Sequence, residues 1–250
     1  PATEVLSHRM LWSSGFLLGL LLLQGRMTEF SKQFHSPRDW LPLLGTSSIL
    51  AVNWGLYIYG VNSDRVIETS LGYFITPLIN VLLGVLILKE KLTWGHWAAV
   101  LLATVGVMNS VVTFGHIPWL ALTLAFSFGS YGLFRKVIQV NPLMGLTVET
   151  GLLTPVAIAY LGYLSTQHTN HFGQSVPLTL LFLGCGVVTA LPLLWFNNAV
   201  QRLPLSTLGF FQYLAPSLQL LLGIVVYHEP FTLSHGITFS FIWAALALYL

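Results

Sequence analysis

Two stretches carry polar side chains where an apolar helix has no packing reason to keep them. In GYFITPLINVLLGVLILKEKLTWGH (residues 72–96), Tyr73, Pro77, Asn80 and Gly84 are spaced by 4, 3 and 4, which puts them on one helical face. In FQYLAPSLQLLLGIVVYHEPFTLSH (residues 211–235), the same face carries Gln212, Pro216, Gln219 and Gly223. Asn and Gln offer a donor and an acceptor on one head group, so the two faces could hydrogen-bond a small polar molecule in a shared central cavity. Each proline also frees a backbone carbonyl one turn earlier. That carbonyl either binds a ligand or marks only a kink. The competing reading is hydrogen-bond glue between helices, with the glycines allowing close approach.

Charged and aromatic side chains form the second set of candidates. Glu149 lies a few residues inside an apolar run, with no Lys or Arg within a turn. A charge at the centre of a bilayer costs about 2.5–3.5 kcal/mol on insertion scales, so it calls for a partner or a function. In a frame shifted by 141 residues Glu149 falls opposite His8, and Thr150 opposite Arg9. Arg9 or His8 would hold an anionic group and Glu149 a proton or cationic group. Alternatively, Arg9 pairs with Glu4 or snorkels to the interface. Trp12, Trp54, Tyr57, Tyr131, Trp195 and Tyr213 could stack on a planar substrate, or anchor helices at the membrane surface. Trp54 and Trp195 are the stronger case because they correspond at the same shift, with Asn53, Asn197 and Asn198 beside them. Glu68 opens its helix and reads as structural. Glu90 and Glu229 read as caps or clasps of helix ends, and Gly15 with Gly19 as a packing face. Catalytic motifs, metal-binding spacings and phosphate-binding glycine loops are absent from the sequence, so no catalytic residue, metal or cofactor is expected.

The elements that must position these residues follow from composition. Of 250 residues, 55% are hydrophobic and 7% are charged, and the mean hydropathy is +0.76. A soluble domain carries roughly 25% charged residues, so lipid must be the outer solvent. A net charge of +2 gives no reason to expect nucleic acid, and a single cysteine excludes a disulfide framework. Nine apolar runs are long enough to span: residues 4–24, 41–61, 66–88, 93–113, 118–137, 146–164, 177–200, 206–227 and 232–250. Only residues 25–39 and 165–176 form loops of any length, the second with His168 and His171. If the first run points inward, Arg26, Lys32, Arg38, Lys89, Lys91, Arg135, Lys136 and Arg202 all lie on the cytoplasmic side, eight of the ten basic residues. The C-terminus is then cytoplasmic.

The chain also repeats itself. At a shift of 139, Pro77, Leu82, Leu83, Gly84, Glu90, Thr93 and His96 meet identical residues, seven in twenty positions. At 141, Gly45, Leu50 and Trp54 meet Gly186, Leu191 and Trp195. An odd number of spans makes the two copies inverted, and broken helices at matching places in inverted repeats point to a transport site. Residues 118–137 have no partner in the first half. With a first residue other than Met, this gives the expectation of a first repeat at residues 1–116 lacking its opening helix, a second at 117–250, and a whole protein of five plus five helices.

Several stretches together resemble a known family. They are EVLSHRMLWS (residues 4–13), ETSLGYFITPL (68–78), PWLALTLAFSFGSYGLFRK (118–136), GLTVET (145–150), RLPLSTLGFFQYLAP (202–216) and HEPF (228–231). The sequence resembles the RarD proteins, in the EamA branch of the drug/metabolite transporter superfamily. The resemblance implies an all-α polytopic membrane protein of ten helices in two inverted repeats, of which nine are present here. It also implies a permease in the bacterial inner membrane, exporting small metabolites or amphipathic drugs, with a link to chloramphenicol sensitivity. The expected partners are a small-molecule substrate, the lipid bilayer and a coupling proton or ion, with the protein acting as a monomer or homodimer. A rival reading makes it a membrane-embedded enzyme or lipid-handling protein with Glu149 and His8 as acid and base.

Overall fold

The computed structural model describes residues 2–226, 228 and 231–249. Among the described residues there are eleven helices and no strand: α1 (Ala2–Leu23), α2 (Met27–Gln33), α3 (Pro37–Asn62), α4 (Val66–Leu86), α5 (Trp94–Phe114), α6 (Trp119–Val137), α7 (Pro142–Thr166), α8 (Val176–Arg202), α9 (Leu205–Gln212), α10 (Leu214–Val225) and α11 (Leu233–Tyr249). Every expected span falls on a helix, with two departures. Residues 25–39 are not simply a loop but hold α2, and the eighth span is divided at Tyr213. The division has a local cause. Pro216 cannot donate to the Gln212 carbonyl, and its ring would collide with it, so the chain restarts one turn before the proline. Pro77 sits inside α4, which runs on without a break. By length and composition, α1, α3, α4, α5, α7 and α8 can each cross a membrane. These six make a polytopic membrane protein.

The helices form two compact units. One comprises Pro1–Ile58 and Phe134–Gln201, the other Tyr59–Leu133 and Arg202–Leu250. In the first unit, Leu17 and Leu21 of α1 are buried with Leu43 of α3, Met144 and Leu146 of α7, and Ala190 of α8. α1 and α7 pack antiparallel. At one end the Thr3 hydroxyl lies 2.7 Å from that of Tyr160, and at the other Leu17 and Leu21 meet Leu143 and Met144. Ser13 Oγ donates to the Gly186 carbonyl at 3.1 Å. Gly15 and Gly19, expected to form a packing face, have nothing within 4 Å of an added Cβ. The close helix approach is made instead at Gly186, against the Trp12 backbone.

In the second unit, Leu71, Ile75, Ala99, Ala103, Phe210 and Ile242 share one core. Two more antiparallel pairs build it, α4 with α9 and α5 with α11. A Cβ on Gly84 would lie 3.3 Å from the Ser206 nitrogen, and one on Gly209 would lie 2.6 Å from the Pro77 carbonyl oxygen. Asn109 Nδ2 donates to the Ser234 carbonyl at 3.1 Å and to Thr238 Oγ1 at 3.0 Å, so polar side chains hold α5 to α11. The repeated residues of the sequence recur as repeated geometry. Thr93 Oγ1 accepts from the His96 nitrogen at 3.3 Å, and Thr232 Oγ1 from the His235 nitrogen at 3.3 Å, capping α5 and α11 alike. Lys89 and His228, one repeat apart, both have positive φ, 55° and 53°.

Glu90 clasps a helix end, as its position suggested. Its Oε1 accepts from the Leu205 nitrogen at 2.6 Å, and its Oε2 from the Ser206 nitrogen at 2.9 Å and Ser206 Oγ at 2.6 Å. This satisfies the first turn of α9, whose own N-cap is Pro204 and supplies no side-chain bond. Glu229 lies outside the described residues. Glu68 is structural in the same sense, bonded to Arg65 Nε at 2.8 Å and accepting from the Leu120 nitrogen of α6 at 2.9 Å.

Gly209 tests how tightly α4 and α9 are apposed. Gly209→Ala should overpack the contact with Pro77 and cost about 1–3 kcal/mol, lowering the thermal midpoint of the purified protein. Gly15→Ala, with open space around it, should leave the midpoint unchanged or slightly raised. Equal midpoints for the two variants would contradict the close approach.

Candidate functional site

The most unusual electrostatics lie in the first unit. Arg135, in the last turn of α6, and Glu149, in α7, are each 0% exposed. Arg135 Nη1 stands 3.6 Å from Glu149 Oε1. That oxygen also accepts from Thr46 Oγ1 of α3 at 2.6 Å, and Ser47 Oγ donates to the Glu149 carbonyl at 3.3 Å. The guanidinium lies against the first turn of α7 at Gly145, where an added Cβ would collide with Nη1 and displace it. Asn141 caps this turn, its Oδ1 accepting from the nitrogens of Leu143 and Met144, with Pro142 at the first helical position.

Arg135, expected on the cytoplasmic side at the end of an apolar run, is completely buried. Glu149, which lacks a cation nearby in sequence, finds one fourteen residues earlier on the preceding helix. A clue was present: a carboxylate within a span calls for a cation, and only the neighbouring helix ends supply one.

The other charged candidates in this unit have separate partners. Arg9 does not pair with Glu4. Its Nε donates to Thr189 Oγ1 at 3.0 Å and its guanidinium lies 5.5 Å from the Trp54 ring centre. Glu4 binds the residue 165–176 loop, accepting from the His171 nitrogen at 2.6 Å and meeting His171 Nδ1 at 2.7 Å. His8 accepts from Trp12 Nε1 at 3.2 Å and stacks on Phe172. His8, Trp12 and Phe172 line a cavity of about 300 Å³ with Ser165 and Asn170. His8 and Glu149 thus have different immediate partners, Trp12 and Phe172 for one, Arg135 and Thr46 for the other. Trp54 is buried, whereas its repeat counterpart Trp195 is 67% exposed. Asn197 is buried and Asn53 half-buried.

In the second unit, Asn80 is buried and its Nδ2 donates to Gln212 Oε1 at 2.6 Å, joining α4 to α9. The expected partner, Gln219, is on the exposed face of α10, and Tyr73 is also exposed. The structure therefore brings Asn80 together with Gln212 rather than with Gln219. Pro77 and Pro216 are both buried. Tyr131 is fully buried beside Phe128, and Tyr213, at the division between α9 and α10, is buried against Phe210.

The Thr46 hydroxyl, which also lies 3.0 Å from the Leu43 carbonyl of its own helix, can be tested by substitution. Thr46→Val keeps the shape and removes a donor to a charged acceptor, which should cost about 1.5–3 kcal/mol. The change should appear as a lowered thermal midpoint. Ser48→Ala, at an exposed hydroxyl bonded to its own helix, should shift stability by no more than about 0.5 kcal/mol.

Comparison with known proteins agrees with this architecture. The model of the EamA-like transporter family matches residues 1–112 and 117–250. An uncharacterized transporter of Vibrio cholerae is 46% identical over 99% of this chain and 82% of its own length. Protein RarD of Escherichia coli K12 is 42% identical over 100% of this chain and 84% of its own, and protein RarD of Salmonella typhi is 44% identical over 100% and 85%. One crystal structure, 17% identical, superposes with a TM-score of 0.74 over 100% of this chain and 88% of that one, a likeness of fold. The chain belongs to the EamA-like transporter family, as a multi-pass membrane transporter related to the RarD proteins.

Proposed function

We propose that this protein is a secondary transporter working by alternating access between two inverted repeats, residues 1–116 and 117–250. One observation carries the reading. Each of the three antiparallel pairs, α1 with α7, α4 with α9 and α5 with α11, joins a helix to its counterpart in the sequence repeat. A pseudo-two-fold axis in the membrane plane produces such pairs, and inverted repeats of this kind serve alternating access. The matching caps at Thr93 and Thr232 and the matching turns at Lys89 and His228 support the same symmetry. The full arrangement is five plus five helices.

The cargo is a small metabolite or amphipathic drug, moved out of the cell across the inner membrane, with chloramphenicol the first to try. The sequence contains no ATPase motif, so a proton or ion gradient drives it. Asn80, Gln212, Gln219 and Tyr73 contact substrate as one group. Trp54, Trp195, Asn53, Asn197, Tyr131, His8, Arg9 and Glu149 form a second, with Pro77 and Pro216 as kink points. The protein acts as a monomer or homodimer, with no catalytic step.

Flux of a metabolite mixture into or out of proteoliposomes tests the class, and absence of any protein-dependent flux under an imposed proton gradient would reject it. Asn80→Leu should abolish flux while the protein stays inserted. If Asn80 serves only to join α4 and α9, flux should persist and stability should fall by roughly 0.6–2 kcal/mol. A reporter fused after Arg202 should read cytoplasm and one after Asp64 the outside; the reverse pattern would remove the inverted orientation.

A further inference from the structure

Arg135 heads the fully buried side chains by size, and it is the least satisfied. None of Nε, Nη1 and Nη2 has a hydrogen-bond partner. A guanidinium carries five N–H donors in a planar fork that fits an oxyanion. Its anionic neighbour, Glu149, is beyond hydrogen-bond reach at 3.6 Å, and the facing oxygen is already engaged by Thr46 at 2.6 Å. The guanidinium also lies on the first turn of α7, at the positive end of that helix dipole, which disfavours a cation and favours an anion. One carboxylate therefore faces a full positive charge and the positive end of a helix, and the fork of donors is unused.

We propose that Arg135 binds an oxyanion, the carboxylate or phosphate group of a small molecule, and that Glu149 is the built-in competitor that holds the guanidinium when the anion is absent. The arrival of an anion and the charge on Glu149 are thus negatively coupled. Each weakens the other, as linkage requires. Since both side chains are fully buried, the anion enters only when the first unit opens, and it leaves Arg135 and Glu149 to close on each other. The site uses neither Asn80 nor Gln212, and its occupancy can be measured without transport.

The test is thermal unfolding of the full purified chain in detergent, followed by tryptophan fluorescence. Sodium acetate or inorganic phosphate is titrated at constant ionic strength against sodium chloride. A ligand that binds only the folded state raises the midpoint in a saturable way. We expect such a rise with acetate if the ligand is a carboxylate and with phosphate if it is a phosphoryl group. Glu149→Gln removes the competitor and should lower the unliganded midpoint while tightening the apparent Kd by about tenfold. Arg135→Gln should abolish the effect, and Arg135→Lys should retain only a weak one because the fork is lost. Should Arg135→Gln fail to fold, Glu149→Gln still decides. A midpoint rise equal in wild type and Glu149→Gln would put the anion elsewhere and overturn the proposal. So would no rise over chloride with either anion, which would leave Arg135 and Glu149 a structural pair. The readout is an unfolding midpoint and needs no flux, so failure of the transport reading and failure of this one give different results.

Discussion

A helix surrounded by hydrocarbon gains nothing by hiding an apolar side chain, since lipid is as good a partner as Leu. What it cannot do is leave a polar group without a partner. This constraint decides where the helices of each unit meet. Asn109 spends its amide on Ser234 and Thr238, and Asn80 spends its own on Gln212. Glu90 spends both carboxylate oxygens on the exposed nitrogens of α9. The apolar residues between these points fill space, but the polar bonds set which helices pair and in what register. Close approach at Gly186 and Gly209 then lets backbones meet where the bonds bring them.

The two halves share a scaffold and use it differently. Thr93 and Thr232 cap their helices in the same way, and Lys89 and His228 turn the chain with the same backbone geometry. Side chains on the working faces have diverged. Asn80 is sealed by Gln212, while their counterparts Gln219 and Tyr73 stand exposed. Trp54 is covered by Arg9, while Trp195 is open. A strict two-fold would give each pair one environment. The difference is tolerable because caps and turns are local, fixed by three or four consecutive residues, whereas a face depends on whatever packs against it.

The same distinction explains what the sequence made legible. Long apolar runs and sparse charge identified the helices, because a span needs only length and composition. The prolines showed where a break could fall, but not that α4 would absorb Pro77 while the chain would restart before Pro216. That outcome depends on neighbours such as Gly209, which approaches the Pro77 carbonyl. Gly15 and Gly19 had the right spacing for helix contact and make none, since spacing says which face is smooth and not what lies opposite. The burial of Arg135 is illegible for a related reason: its place at the end of a run says nothing of the adjacent turn of α7, where glycine at 145 leaves room for the guanidinium.

Arg135 and Glu149 are also the residues that stability explains least. Removing two charges from water costs several kcal/mol each, and their attraction repays this only when geometry is close and the remaining donors are bonded. Neither condition holds at 3.6 Å with three guanidinium nitrogens unpartnered. An apolar pair of similar volume in this core, among Leu17, Leu43, Met144 and Leu146, would fold at least as well. The fold could dispense with the pair, yet it supplies Thr46 for the carboxylate and a bare glycine for the guanidinium. Those accommodations cost packing and satisfy only one side of the pair. A site arranged this way is built for a second negative group, with the carboxylate held close enough to take its place.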